Sequence, residues 1–177
     1  SNPVPMLRRA LTHSGVPGYW GFSALLYVPG SIWIDTEQVI KAILPLQRYV
    51  LLLVGLFALW WTRRQSALDA TLTIMLSIFA VTVGMGIQWL LWPVAFAIVA
   101  REKRWLKWYT ITGTFMMFVL LYGLHLYPWA SELFDPQTAT ALIRISFLPA
   151  WIVVLMWTFV RLRRAKLPAP LQTVAPE

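Results

Sequence analysis

From Ala70 to Ala100 the chain runs for 31 residues without a charged side chain. A bilayer core of roughly 30 Å is crossed by about 20 helical residues. At about 1.5 Å per residue, one helix over the whole run would reach roughly 46 Å, too long for the core without strong tilt. The run is therefore read as two shorter helices. The break is placed at Gly84-Met85-Gly86, where two glycines flanking one residue weaken helix propagation and permit a tight turn.

Composition carries the same reading to the rest of the chain. Of 177 residues, 59% are hydrophobic and 12% charged, with 11 tryptophans and no cysteine, and the mean hydropathy is +0.64. An ordinary soluble domain carries about twice that share of charge, so an integral membrane protein is expected, with the bacterial plasma membrane as its location. The basic residues punctuate the apolar segments instead of lining a soluble face, which gives them a topological role and argues against a nucleic-acid partner. Without cysteine, and with two histidines far apart, no metal-ligand spacing is present. No cofactor is expected.

The fold expected is all-α, a polytopic transmembrane bundle of about five spans: Leu46–Trp61, Leu68–Val83, Ile87–Ala100, Trp108–Tyr127 and Leu142–Val160. Arg63 and Arg64 precede the long run, while Arg101, Lys103, Arg104 and Lys107 follow it; Arg161, Arg163, Arg164 and Lys166 follow the last span. If basic clusters stay on the cytoplasmic side, an even number of crossings separates them. The N-terminus is then outside and the C-terminus inside. This divides the chain into an extracytoplasmic, interfacial or re-entrant segment (residues 1–45), a bundle (46–166) and a disordered, Pro-rich tail (167–177). Ser66-x-x-Asp69 and Asp135-Pro136 read as helix starts, and Asp35-x-x-Gln38 as the start of a short helix ending near Leu44. The spans are read as lacking a buried charged pair, with Arg48 and Arg144 near enough to helix starts to snorkel.

Two segments invite a functional reading. In GIQWLLWP, residues 86–93, helical spacing puts Gln88, Trp89 and Trp92 on one face, and Pro93 frees the carbonyl of Trp89. One interpretation is an interfacial aromatic belt with Gln88 bonded to a neighbouring helix. The other is a wall of amide and indole groups facing a sugar or phosphate. The segment His13–Trp33 holds too many glycines and prolines for one helix and is too apolar for a solvated loop, so it is expected to be re-entrant, burying its irregular backbone in protein or lining a cavity. Tyr19, Trp20 and Trp33 would stack on a sugar or simply anchor the interface. Arg8, Arg9 and His13 would meet an anionic group there. Asp35 and Glu37 are explained by the start of a helix.

The pairing of GVPGYWGFSALL (Gly15–Leu26) with GIQWLLWPVAF (Gly86–Phe96) resembles the C-terminal half of GT-C-type integral membrane glycosyltransferases, and most closely the polyprenol-phosphate mannosyltransferase-like proteins of glycosyltransferase family 87. The resemblance covers roughly residues 10–100 by motif and the remainder by topology only. It implies transfer of a sugar from a polyprenyl-phosphate donor to a lipid, glycan or protein acceptor on the non-cytoplasmic face. It also implies that Gln88, Trp89 and Trp92, with Tyr19 and Trp20, form a cavity wall. The family's catalytic acid is expected in a first external loop that no residue here matches. With Ser1 at its start and no leader pattern, the chain is expected to be a piece whose partners include missing N-terminal helices of the same protein, besides membrane lipids. The competing expectation is a non-enzymatic membrane protein, a transporter fragment or an assembly subunit.

Overall fold

The computed structural model describes residues 16–17, 20–25, 36–85, 90–123 and 136–165. These form helices α1 (Phe22–Leu25), α2 (Thr36–Thr62), α3 (Ala67–Val81), α4 (Leu91–Val99), α5 (Lys103–Gly123) and α6 (Pro136–Arg164). Two short strands, β1 (Val16–Pro17) and β2 (Gly84–Met85), pair antiparallel with Val16 opposite Met85 and Pro17 opposite Gly84. Helices α2 to α6 each cover part or all of one of the five apolar segments; Ile87–Trp89 and residues 124–127 of the third and fourth lie outside the described residues. Two helical stretches, Gln38–Thr62 and Ala141–Arg164, are long and apolar enough to cross a membrane.

Helix α6 is the centre of the bundle and packs on α5 and α3. The apolar core follows it: Ile143, Phe147, Ala150, Val154 and Trp157 on α6 meet Leu72, Leu76 and Phe79 of α3 and Tyr109, Met116 and Leu120 of α5. These α6 positions recur every three or four residues, the spacing of one helical face. Trp157 is buried between Trp105 and Tyr109, stacked on the former at 6.4 Å and tilted to the latter at 6.3 Å. Helix α2 lies at the edge. Only 11% of its most apolar window is buried, and Leu52, Leu53, Leu56, Phe57, Leu59 and Trp60 are all exposed.

Several boundaries differ from those expected. Helix α2 begins at Thr36 and passes through Pro45 without a break, so the short helix and the first span are one element of about 40 Å. Pro45 is exposed, and the hydrogen bond it forfeits lies on an open side of the helix. Arg48 and Arg144 therefore stand well inside α2 and α6 and not at their starts. Helix α4 as described has nine residues, about 14 Å; the Ile87–Trp89 part of the span expected there lies outside the described residues, and with it the Trp89 carbonyl that Pro93 is expected to free.

The helix starts follow local chemistry. Ser66 caps α3, its Oγ accepting the Asp69 N–H at 3.2 Å and donating to the Asp69 carboxylate at 2.5 Å. Helix α6 starts on Pro136, as the Asp135-Pro136 pair implied. Between α4 and α5 the chain turns through Arg101, whose φ is 55°. The Glu102 N–H bonds to the Ala97 carbonyl at 3.0 Å and the Arg101 N–H to that of Ile98 at 3.1 Å. This is the paired bonding of a helix terminator that normally carries glycine at the left-handed position.

Candidate functional site

The seam where α3 gives way to β2 is the first of two polar regions. Thr82 ends α3 in an extended conformation, φ −65° and ψ 142°, and its hydroxyl donates to the Gly84 carbonyl at 2.9 Å. The strand that follows is covered by β1. Gly21 has a φ of +67°, and a Cβ there would stand 2.4 Å from the Thr82 carbonyl oxygen, so only glycine allows this approach. Ser23 donates to the carbonyls of Trp20 and Val83, each at 2.6 Å. The indoles of Trp20 and Trp151 donate to the carbonyls of Phe79 and Ala80 at 2.7 and 2.9 Å. Together these groups satisfy the last turn of α3, which has no helical partner of its own.

Gln47 reaches the seam from α2. Its Nε2 donates to the Thr82 hydroxyl at 2.9 Å, while its buried Oε1 has no hydrogen-bond partner among the described residues. The amide, hydroxyl and indole donors of the seam are thus spent on internal acceptors, and the Gln47 Oε1 is the acceptor left over there among the described residues. The seam's described side chains include no acid or base for proton transfer.

The expected site residues divide accordingly. Trp20 is fully buried with its N–H engaged, so it packs the core and has no ring face open for stacking on a sugar. Trp92 is 55% exposed on the first turn of α4. Arg8, Arg9, His13, Tyr19, Gln88 and Trp89 lie outside the described residues, and α4 as described begins at Leu91. What the structure does bring together is β1, inside the first motif, and β2, Gly84–Met85, which directly precedes the second.

The second polar region corrects the expectation that no charged pair is buried in the bundle. Arg161 of α6 is 5% exposed. Its Nη2 donates to the Asp69 carboxylate at 2.7 Å and the Asp69 carbonyl at 3.0 Å, its Nη1 to Glu102 at 2.7 Å, and its Nε to the Thr73 hydroxyl at 2.9 Å. Arg164 adds a second contact to Glu102 at 3.2 Å. The planar guanidinium thereby holds the start of α3, the α4–α5 turn and the end of α6 in one place. Trp61 joins α2 to this end by donating to the Leu162 carbonyl at 2.9 Å. A cavity of about 220 Å³ lies beside the cluster, lined by Gln65, Asp69, Ala100, Glu102, Arg161 and Arg164. The Gln65 Oε1 is buried there without a partner among the described residues.

Gln47, Ser23 and Thr82 gave no signal in the sequence, being ordinary polar residues in apolar runs. Glu102 did offer one: it is a lone carboxylate inside the basic run Arg101–Arg104. Among the described residues no three His, Asp or Glu side chains are grouped to hold a metal. Comparison of the chain with family models, curated proteins and solved structures finds no match.

Proposed function

We propose that the chain is part of an integral membrane glycosyltransferase of the GT-C type, transferring a sugar, mannose by resemblance, from a polyprenyl-phosphate donor to a lipid or glycan acceptor. The transfer takes place on the non-cytoplasmic face of a bacterial plasma membrane. The bundle crosses five times, on α2 to α6, with the Arg161 end in the cytoplasm. The catalytic acid comes from upstream helices of the same protein.

The observation that carries this reading is the β1–β2 pairing. β1, inside the first segment whose wording resembles the family, pairs with the strand that directly precedes the second, Val16 standing opposite Met85 across 69 positions of chain. Depth adds support. Helix α3 has 15 residues, rising about 22 Å against a core of roughly 30 Å. With its Asp69 end at the cytoplasmic surface, the seam stops short of the outer one. Irregular backbone at that depth must be covered by protein or face a water-filled cavity, and a sugar donor on a lipid carrier needs such a cavity opening to the membrane.

The burial of Trp20 and the absence of a proton-transfer group among the described seam residues favour a second reading, a non-enzymatic transporter fragment or assembly subunit. The test is transfer of radiolabelled mannose from polyprenyl-phosphate-mannose by membranes expressing the full-length protein. Gln88→Ala and Trp92→Ala, at equal protein level, are expected to lower transfer at least about ten-fold, the scale of a lost buried polar contact. No transfer by the wild type from any polyprenyl-phosphate sugar would favour the second reading.

A further inference from the structure

We infer that the Arg161 end of the bundle is a binding surface for anionic phospholipids of the cytoplasmic leaflet, centred on the C-terminal ends of α2 and α6. This rests on the membrane reading above and not on sugar transfer.

Two turns and the end of α6 meet at this end, and Arg63, Arg64, Arg101, Lys103, Arg104 and Arg163 are all exposed there. Ordinarily interspersed acids would neutralise such a surface. The acids at this end among the described residues are Asp69 and Glu102, and both are taken up by Arg161. Arg161 is itself too buried to meet a headgroup, and its consequence is indirect: it engages both carboxylates and leaves the outer cations without an acidic partner of their own among the described residues.

The ligand class follows from what stands beside those cations. The Arg63 guanidinium lies over the Trp60 ring at 5.1 Å, and that of Arg163 over the Phe159 ring at 5.3 Å. Both rings are more than half exposed. The Trp61 to Leu162 hydrogen bond ties the two helix ends together, and each of these ends carries one cation and ring pair. A charged head above an exposed aromatic side fits an amphiphile with a phosphate headgroup and acyl chains lying along α2 and α6. Guanidinium binds phosphate through paired hydrogen bonds, and anionic lipids favour basic residues near the bilayer surface. The carbonyl ends of α2 and α6 oppose an anion by about half a charge each, less than the adjacent arginines supply.

The test is native mass spectrometry of the full-length protein, released from bilayers containing equal amounts of phosphatidylglycerol and phosphatidylcholine with identical acyl chains. The wild type should retain phosphatidylglycerol several-fold over phosphatidylcholine. Arg63→Gln with Arg163→Gln should remove most of that preference and bring the ratio close to one, while Arg161 and its partners stay intact so that the fold is kept. Equal retention of the two lipids by the wild type, or an unchanged preference in the double variant, would overturn the inference while leaving the protein a membrane protein. Recovery of the protein from the aqueous phase without detergent would overturn both.

Discussion

The Arg161 guanidinium reaches back 92 positions to hold the Asp69 carboxylate at 2.7 Å, and it holds Glu102 at the same distance. One side chain thereby closes the end of the bundle where three basic clusters gather. Replacing it with methionine leaves Glu102, 11% exposed, without its main counter-charge. Arg161→Met should cost about 3–5 kcal/mol, the scale for breaking one side of a buried ion pair. Adding Asp69→Asn and Glu102→Gln should recover part of the loss. Thermal unfolding in detergent measures both, and an unchanged melting temperature in Arg161→Met would contradict the clasp.

Glycines 21 and 113 should respond oppositely to alanine. At Gly21 the new Cβ meets the Thr82 carbonyl oxygen at 2.4 Å in a left-handed backbone; at Gly113, inside α5, it meets nothing within 4 Å. Gly21→Ala should lower the melting temperature and loosen the seam. Gly113→Ala should be neutral or stabilising by up to about 1 kcal/mol.

Trp20→Phe keeps a buried aromatic ring but removes part of the indole, including the N–H that bonds to the Phe79 carbonyl. A loss of about 1–3 kcal/mol is expected, from one buried acceptor left unpaired and a small cavity. If Trp20 instead served as an open stacking surface, phenylalanine would leave the melting temperature unchanged.

Arg101 adopts a φ of 55° in the turn between α4 and α5. Arg101→Gly removes the steric cost of that conformation, about 1–2 kcal/mol, and gives back part of it as chain entropy. A net gain of up to about 1 kcal/mol is expected in the same unfolding measurement.

Sequence made the local features legible. Ser66 and Asp69 announced the start of α3, Asp135-Pro136 that of α6, and the glycines at 84 and 86 marked a break that falls between α3 and α4. What escaped was set by distant partners. Arg161 stands in the run Arg161-Leu162-Arg163-Arg164, and nothing local separates the buried member from its exposed neighbours; Thr73, Asp69 and Glu102 do so from 59 to 92 positions away. Trp20 reads equally as anchor, stacking surface or core until Phe79 is placed beside it. The short helix expected to end near Leu44 instead continues through Pro45 to Thr62, because packing along α2 outweighs the one hydrogen bond that proline forfeits.

The central claim, that β1 within GVPGYW pairs with the strand leading into GIQWLLWP, can be tested through the lack of cysteine in these 177 residues. Val16→Cys with Met85→Cys places two thiols on directly paired positions, whose Cα separation of roughly 4.5–5.5 Å in such a ladder lies within disulfide reach. In membranes treated with a mild oxidant, with a protease site placed in the tail of the α2–α3 turn, the pair should hold the two cleaved fragments together until a reductant is added. Val16→Cys with Leu121→Cys serves as the unpaired control. Fragments that separate without reductant, as freely in the pair as in the control, would contradict the claim.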